Sequence, residues 1–291
     1  MRIFDLHCDT LTKCLKQSEG LQHASGHLSL SRGKAFDAWA QVFAVFVPDT
    51  MQGLAAAEYC SQTIDFFHAQ LDDITQVCKP ILAIENANAL AGSLQKLEDF
   101  AAKQVRIITI TWNGENELGH GAACDSALGL KSFGKQAIQR MFKLGIHPDV
   151  SHLNTTGFWD VAKLSLQASK PLLATHSGCA AIQPHRRNLT DDQLQAIFSS
   201  NGLVGLCLYE DFLGNGGTSH AVARHLAHII RLGGENHVAL GSDFDGCSIH
   251  PTLAGIEKLP ILNENLARLG FCKRTREKFF WRNAAQFFSL P

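Results

Sequence analysis

Short apolar, β-branched runs alternate with longer segments of helical periodicity along most of this chain. The runs predict strands near 2–7, 39–47, 80–85, 105–111, 148–153, 171–176, 202–208 and 237–243. Val105-Arg106-Ile107-Ile108-Thr109-Ile110-Thr111 is typical: almost continuously apolar, as a parallel strand covered by helices should be. Amphipathic patterns predict helices over 53–77, 88–103, 132–145, 156–169, 190–200 and 219–233. Asn201-Gly202 and Gly233-Gly234 follow the last periodic residues of two of them, as helix stops. The least regular stretch, 14–38, reads as a long loop after the first strand. Eight strands in alternation with helices point to an α/β fold, a (β/α)8 TIM-type barrel. A doubly wound sheet is the alternative, but no Gly-x-Gly-x-x-Gly opens a helix after any strand, which weakens its dinucleotide-binding form.

Composition narrows this reading. The 291 residues exceed the roughly 250 of a typical closed barrel, and no linker, repeat or low-complexity stretch divides them, so one domain over 1–291 is expected. A hydrophobic fraction of 45% against 18% charged residues supplies a large core. The net charge is −1 and no basic cluster exceeds His185-Arg186-Arg187, which argues against a nucleic-acid partner. Nine cysteines without a Cys-x-x-Cys pair suit reduced thiols better than a disulfide framework or a thiolate zinc site. No signal peptide, membrane-length apolar run or lipid-anchor tail is visible, so a soluble cytoplasmic protein without membrane attachment is expected.

Chemistry in such barrels sits at the C-terminal ends of the strands. There the sequence places His7 and Asp9, then Glu85, His152, His176 and Asp243. His7 and Asp9 are two residues apart, so on an extended chain they face the same side and can reach one ion together, with Cys8 turned the other way as a small core residue. Each group has a bland alternative: a structural histidine, a helix cap at Glu85, an Asx turn at Asp243-Phe244-Asp245-Gly246. Three imidazoles and three carboxylates converging on one face would be costly to bury unpaired, and divalent cations remove that cost. His7, Asp9, Glu85, His152 and His176 make five nitrogen and oxygen ligands, more than the usual three of a single catalytic zinc. Two Zn2+ ions sharing a bridging carboxylate would account for the number and activate a shared water, which favours a binuclear hydrolase. His120, His147 and His185 lack a strand-end position and read as surface or supporting residues.

Taken together, Asp5-Leu6-His7-Cys8-Asp9-Thr10, Glu85, Asp149-Val150-Ser151-His152, His176-Ser177 with Arg186-Arg187-Asn188, and Gly241-Ser242-Asp243-Phe244-Asp245-Gly246 make the chain similar to the membrane (renal) dipeptidase family of zinc peptidases. The similarity runs essentially end to end. It implies a (β/α)8 barrel with two zinc ions: His7 and Asp9 on one, His152 and His176 on the other, and Glu85 between. It also implies that Asp243 handles protons and that Arg187 receives the substrate's free carboxylate, a role its planar, permanently charged fork suits. The family's mammalian members carry a histidine after the fourth strand, thought to stabilise the tetrahedral intermediate. Here Trp112 occupies that place, in a Trp-Asn-Gly pattern similar to that of a bacterial-type subgroup, so that role does not carry over.

The resulting expectation is a dipeptidase acting on small dipeptides with a free C-terminal carboxylate through a metal-bridging hydroxide. Tyr209, Glu210 and Phe212, just past the seventh strand, would join Trp112 as pocket walls, or else merely pack their loop. The resemblance is compatible with a homodimer. A barrel amidohydrolase acting on N-acyl amino acids, cyclic amides or lactones is the alternative enzyme. A non-catalytic metal-binding scaffold is the third reading, against which Asp243 and Arg187 weigh because holding metal requires neither.

Overall fold

The computed structural model describes residues 1–290 and contains eight strands: β1 (Arg2–Asp5), β2 (Ala38–Phe46), β3 (Lys79–Glu85), β4 (Val105–Thr109), β5 (His147–Asp149), β6 (Leu173–Ser177), β7 (Leu203–Leu206) and β8 (Val238–Leu240). All pair in parallel with their neighbours in chain order, and β8 closes on β1. This is the expected α/β barrel. Along β3 and β4, Ala83 and Ile107 belong to a cluster inside the barrel, whereas Ile84 and Ile108 pack outward on the helices. Glu85 therefore continues the inward series, which brings its carboxylate to the axis at the mouth.

The barrel is closed underneath by the end of the chain. Inward-facing Phe4, Leu6, Val42, Leu173 and Leu203 share their cluster with Trp281, Ala284 and Ala285. Phe4 lies 6.1 Å from the Trp281 ring and 5.4 Å from Phe288, centroid to centroid. Asn283 fastens this plug by donating to the carbonyls of Glu235 and Val238. On the outside, Phe43 meets Phe67 of the helix Gly53–His68 at 5.9 Å, one contact in a continuous shell between barrel and helices.

Several boundaries differ from the sequence reading. Helix 53–77 divides into Gly53–His68 and Leu71–Thr75, and 88–103 becomes a 3-10 turn at Ala87–Leu90 followed by the helix Gln95–Ala102. The segment 14–38 is less open than a long loop. It begins inside the helix Thr10–Gln17 and contains a turn at Leu21–His23 and a short helix at Leu30–Gly33. Asp245 ties that first helix and the middle of the segment to the barrel, accepting hydrogen bonds from Thr10 Oγ1 (2.7 Å), Lys13 Nζ (3.0 Å) and the His27 amide (2.7 Å). Most strands also stop sooner than expected at their C-terminal ends: β1 ends at Asp5, β5 at Asp149 and β8 at Leu240. His7, Asp9, His152 and Asp243 thus lie just beyond regular strand, where the ladder gives way to side-chain anchoring. No helix among the described residues is long and apolar enough to cross a membrane.

Candidate active site

Irregular backbone aims the mouth residues. Past Leu6 the alternation of β1 slips, because Cys8 joins the outer cluster although Phe4 and Leu6 belong to the inner one. His7 and Asp9 consequently both face the axis. In β6 a register shift between Ala174 and Ser177 brings the adjacent side chains of Thr175 and His176 to the mouth together. His152 and Asp243 hold positive φ (70° and 62°), a region that costs a non-glycine residue about 1–3 kcal/mol. The Asp243 turn is braced at its amide by the His7 carbonyl, 3.1 Å away. Gly246 completes it, since a Cβ there would collide with the carboxylates of Asp9 and Asp243.

The five groups expected at the mouth do converge. Glu85 Oε2 lies 3.3 Å from His7 Nε2, while Oε1 lies 2.9 Å from His152 Nε2 and 3.7 Å from His176 Nε2. The two oxygens of one carboxylate thus face separate histidine groups. Asp9 Oδ2 sits 3.6 Å from His7 Nε2, and Asp243 Oδ1 sits 4.0 Å from the same nitrogen. All six side chains are buried. His7 Nε2 and Asp9 Oδ1 are sealed from solvent without any hydrogen-bond partner.

The other faces of the histidines are engaged. Thr175 Oγ1 donates to Asp149 Oδ2 (2.6 Å), which leaves its lone pairs to accept from His176 Nδ1 (2.9 Å) and His7 Nδ1 (3.3 Å). Asp149 is itself fixed by Thr109 Oγ1 and by the amides of Ser151 and Thr175. His152 Nδ1 faces Asn113 Oδ1 at 3.0 Å. With Nδ1 as the donor in His152 and His176, the Nε2 of each turns a lone pair inward, as metal-binding imidazoles do, and His7 would do the same with a cation in place of its proton. His152 Nε2 and His176 Nε2 are only 2.8 Å apart. Two inward lone pairs at that separation repel unless something positive lies between or beside them.

Electrostatics point the same way. Burial, with Arg187 and His7 adding positive potential, holds His152 and His176 well below the usual imidazole range, so both are neutral. Burial also opposes charge on His7, but Glu85 and Asp9 outweigh it and raise that pKa. Burial lifts the carboxyl of Asp9 to about 6, with Glu85 pushing the same way. Asp243 is lifted to about 7: burial dominates, His7 opposes, and Asp9 and Glu85 add to the rise. Crowded acidic groups with few hydrogen-bond donors, and neutral imidazoles opposite, form a donor set that fits divalent cations.

Above these groups opens a cavity of about 750 Å3, lined by Asp9, Glu85, His152, Asp243 and Arg187. Arg187 is buried with its guanidinium stacked 5.2 Å from the Phe212 ring centroid. Its Nη2 donates to the His176 carbonyl at 3.4 Å, Nε has no partner, and no carboxylate among the described residues pairs with it. Such a charge, buried beside a cavity, is poised for an anion from outside.

Residues 1–289 match the membrane dipeptidase family, peptidase family M19. The chain belongs to this family. A solved dipeptidase of the same metallopeptidase family has 28% identity, and the alignment covers 99% of this chain and 98% of that one at a TM-score of 0.89. A metallopeptidase from Rhodobacter sphaeroides, solved with a phosphinate mimic of the dipeptide L-Ala-D-Ala, is also 28% identical, with 99% of each chain covered and a TM-score of 0.86. An uncharacterised Klebsiella pneumoniae protein from the pqqA 5′ region shares 37% identity over 220 residues, 72% of this chain and 80% of its own. The molecule is a metallo-dipeptidase on a metal-dependent hydrolase barrel.

Trp112 of this dipeptidase forms part of the cavity wall, 5.3 Å from the Phe46 ring and 6.1 Å from His152. Tyr209 and Phe212 also line the cavity, packed edge to face at 4.9 Å, and Tyr209 Oη donates to Asp211. His185 lines it too, 4.7 Å from Phe212, although its place in the sequence suggested surface or support. His147 lies at the opposite end, against Phe287 and Phe288. The sequence reading missed Asn113, Asp149 and Thr175 as supports of the histidines. Asp149 was visible three residues before a strand-end histidine; Thr175 and Asn113 gave no signal beyond adjacency to His176 and Trp112. It also missed Cys207 and Cys247, which approach Asp243 from behind.

Proposed function

We propose that residues 1–291 form a single catalytic domain that hydrolyses dipeptides bearing a free C-terminal carboxylate, using two zinc ions. The split facing of Glu85 carries this reading: one oxygen toward His7, the other toward His152 and His176. His7 and Asp9 would hold one ion, His152 and His176 the other, and Glu85 both. Bound there, the ions would supply Lewis acidity toward the scissile carbonyl and acidify a water molecule between them.

The chain's own groups do the rest. Arg187 holds the substrate carboxylate in two hydrogen bonds, fixing the distance from the C-terminus to the scissile bond. A longer peptide has no charge at that distance, which restricts the substrate to two residues. Asp243, whose Oδ1 faces the mouth 4.0 Å from His7 Nε2, takes the proton from the attacking water and returns it to the leaving amine. Trp112, Tyr209 and Phe212 exclude water around the side chains. The phosphinate mimic bound by the Rhodobacter relative supports a dipeptide substrate and makes a D-residue at the C-terminal position worth testing first. Turnover of an L,D and L,L dipeptide library, beside matching dipeptide amides and N-acyl amino acids, tests the reading. Hydrolysis confined to free-carboxylate dipeptides is expected; faster cleavage of N-acyl amino acids would favour the amidohydrolase alternative.

A further inference from the structure

The carboxylate of Asp243 has two neighbourhoods. Oδ1 faces His7 across the mouth, whereas Oδ2 lies 3.7 Å from Cys207 Sγ on the far side. Cys247 closes the same corner, its thiol 3.4 Å from the Asp243 carbonyl. One ligand atom each from Cys207, Asp243 and Cys247 all fall within 4.8 Å of one another. Tetrahedral zinc, with bonds near 2.3 Å to sulfur and 2.0–2.2 Å to oxygen, would set such atoms about 3.5–3.8 Å apart. The cluster therefore needs only a small contraction around an ion. The Tyr209 amide donates to Cys207 Sγ at 3.4 Å, a contact that suits a thiolate as well as a thiol. Cys247 is half-buried and lines the cavity, so a cation can reach the corner through the substrate entrance.

We propose that Cys207, Cys247 and Asp243 form a third cation site, selective for thiophilic divalent ions such as Zn2+ and Cd2+, whose filling inhibits the enzyme. The selectivity follows from the donors: this corner offers two sulfurs, whereas the proposed zinc pair has only nitrogen and oxygen ligands. Inhibition follows from the shared carboxylate. An ion on Oδ2 pins Asp243 and neutralises it, so it can no longer accept and return a proton. This second step rests on the proton role proposed for Asp243; binding itself does not.

Cadmium titration into the reduced zinc holoenzyme tests both parts. One further equivalent should bind with a sulfur-to-cadmium charge-transfer band in the ultraviolet, and turnover should fall roughly 10²-fold as the band saturates. Cys247→Ser, and separately Cys207→Ala, should each weaken the band and relieve the inhibition relative to the same variant without cadmium. Absence of the band in the wild type, or an undiminished band in both variants, overturns the site. A saturated band with full turnover overturns the inhibitory coupling. Comparison with Asp243→Asn then separates the causes: if that variant is slow, only the coupling fails, and if it is fast, the proton role fails as well.

Discussion

At the base of the barrel Phe4 packs against Trp281 and Phe288, and every inward group there finds apolar contact. Three residues further along, at the mouth, His7 Nε2 is sealed from solvent with no partner. Both positions are buried and both face the axis. The base gains free energy from packing. The mouth retains unpaired acids and imidazoles that no folding argument favours, together with positive-φ strain at His152 and Asp243. Burial alone therefore does not distinguish the ends; what separates them is whether the buried atoms are satisfied from within the chain. Where unsatisfied acids and imidazoles crowd together, as at the mouth, something from outside belongs.

This contrast can be broken most severely at Asp243. Asp243→Asn keeps shape and burial while removing the proton acceptor, so turnover should fall about 10²–10⁴-fold with bound metal nearly unchanged. Steady-state kinetics beside metal analysis checks this, and an undiminished rate removes Asp243 from the proton path. Trp281→Ala should do the reverse. Truncating this base residue should cost about 3–5 kcal/mol of stability by denaturant unfolding, with kcat of the folded fraction unchanged.

A smaller effect is expected at Arg187. Arg187→Ala should raise KM for dipeptides about 10- to 100-fold, the worth of hydrogen bonds to a charged group, and far less for dipeptide amides. Equal losses on both would sink the carboxylate assignment. The smallest concerns the flank of the mouth. His225 accepts from the Cys179 amide and donates to the Leu213 carbonyl, joining the loops after β6 and β7 that carry Arg187 and Phe212. Burial holds its pKa down at about 4, so the folded state resists a proton that the unfolded chain accepts near 6.5. The stability it lends is complete above that value and is lost as pH falls toward 4, amounting to about 2 kcal/mol at pH 5. Urea unfolding at pH 7 and pH 5 should show this loss, and His225→Gln should reduce it; an unchanged slope would contradict the assignment.

What the sequence made legible follows the same division. Strand order and barrel class could be read because parallel strands are continuously apolar, a pattern each segment carries by itself. The mouth residues could be read because acids and imidazoles at strand ends are conspicuous. The slip after Leu6 and the register shift in β6 could not, since they are settled by neighbouring strands rather than by local preference. Nor could the hydrogen bonds from Thr175 and Asn113, each an ordinary polar residue until folding places it behind a histidine. Cys207 and Cys247 are forty residues apart, too far for a spacing argument. The plug around Trp281 went unread because its aromatic and polar residues show no period that names the surface they cover.

The central claim, that the unsatisfied atoms at the mouth hold a pair of cations around Glu85, is most directly tested by anomalous diffraction at the zinc edge on crystals of the enzyme as purified. Two peaks roughly 3.5–4 Å apart are expected, one against His7 and Asp9 and one against His152 and His176, each touching a different oxygen of Glu85. A single peak, or two peaks of which neither touches Glu85, would contradict it.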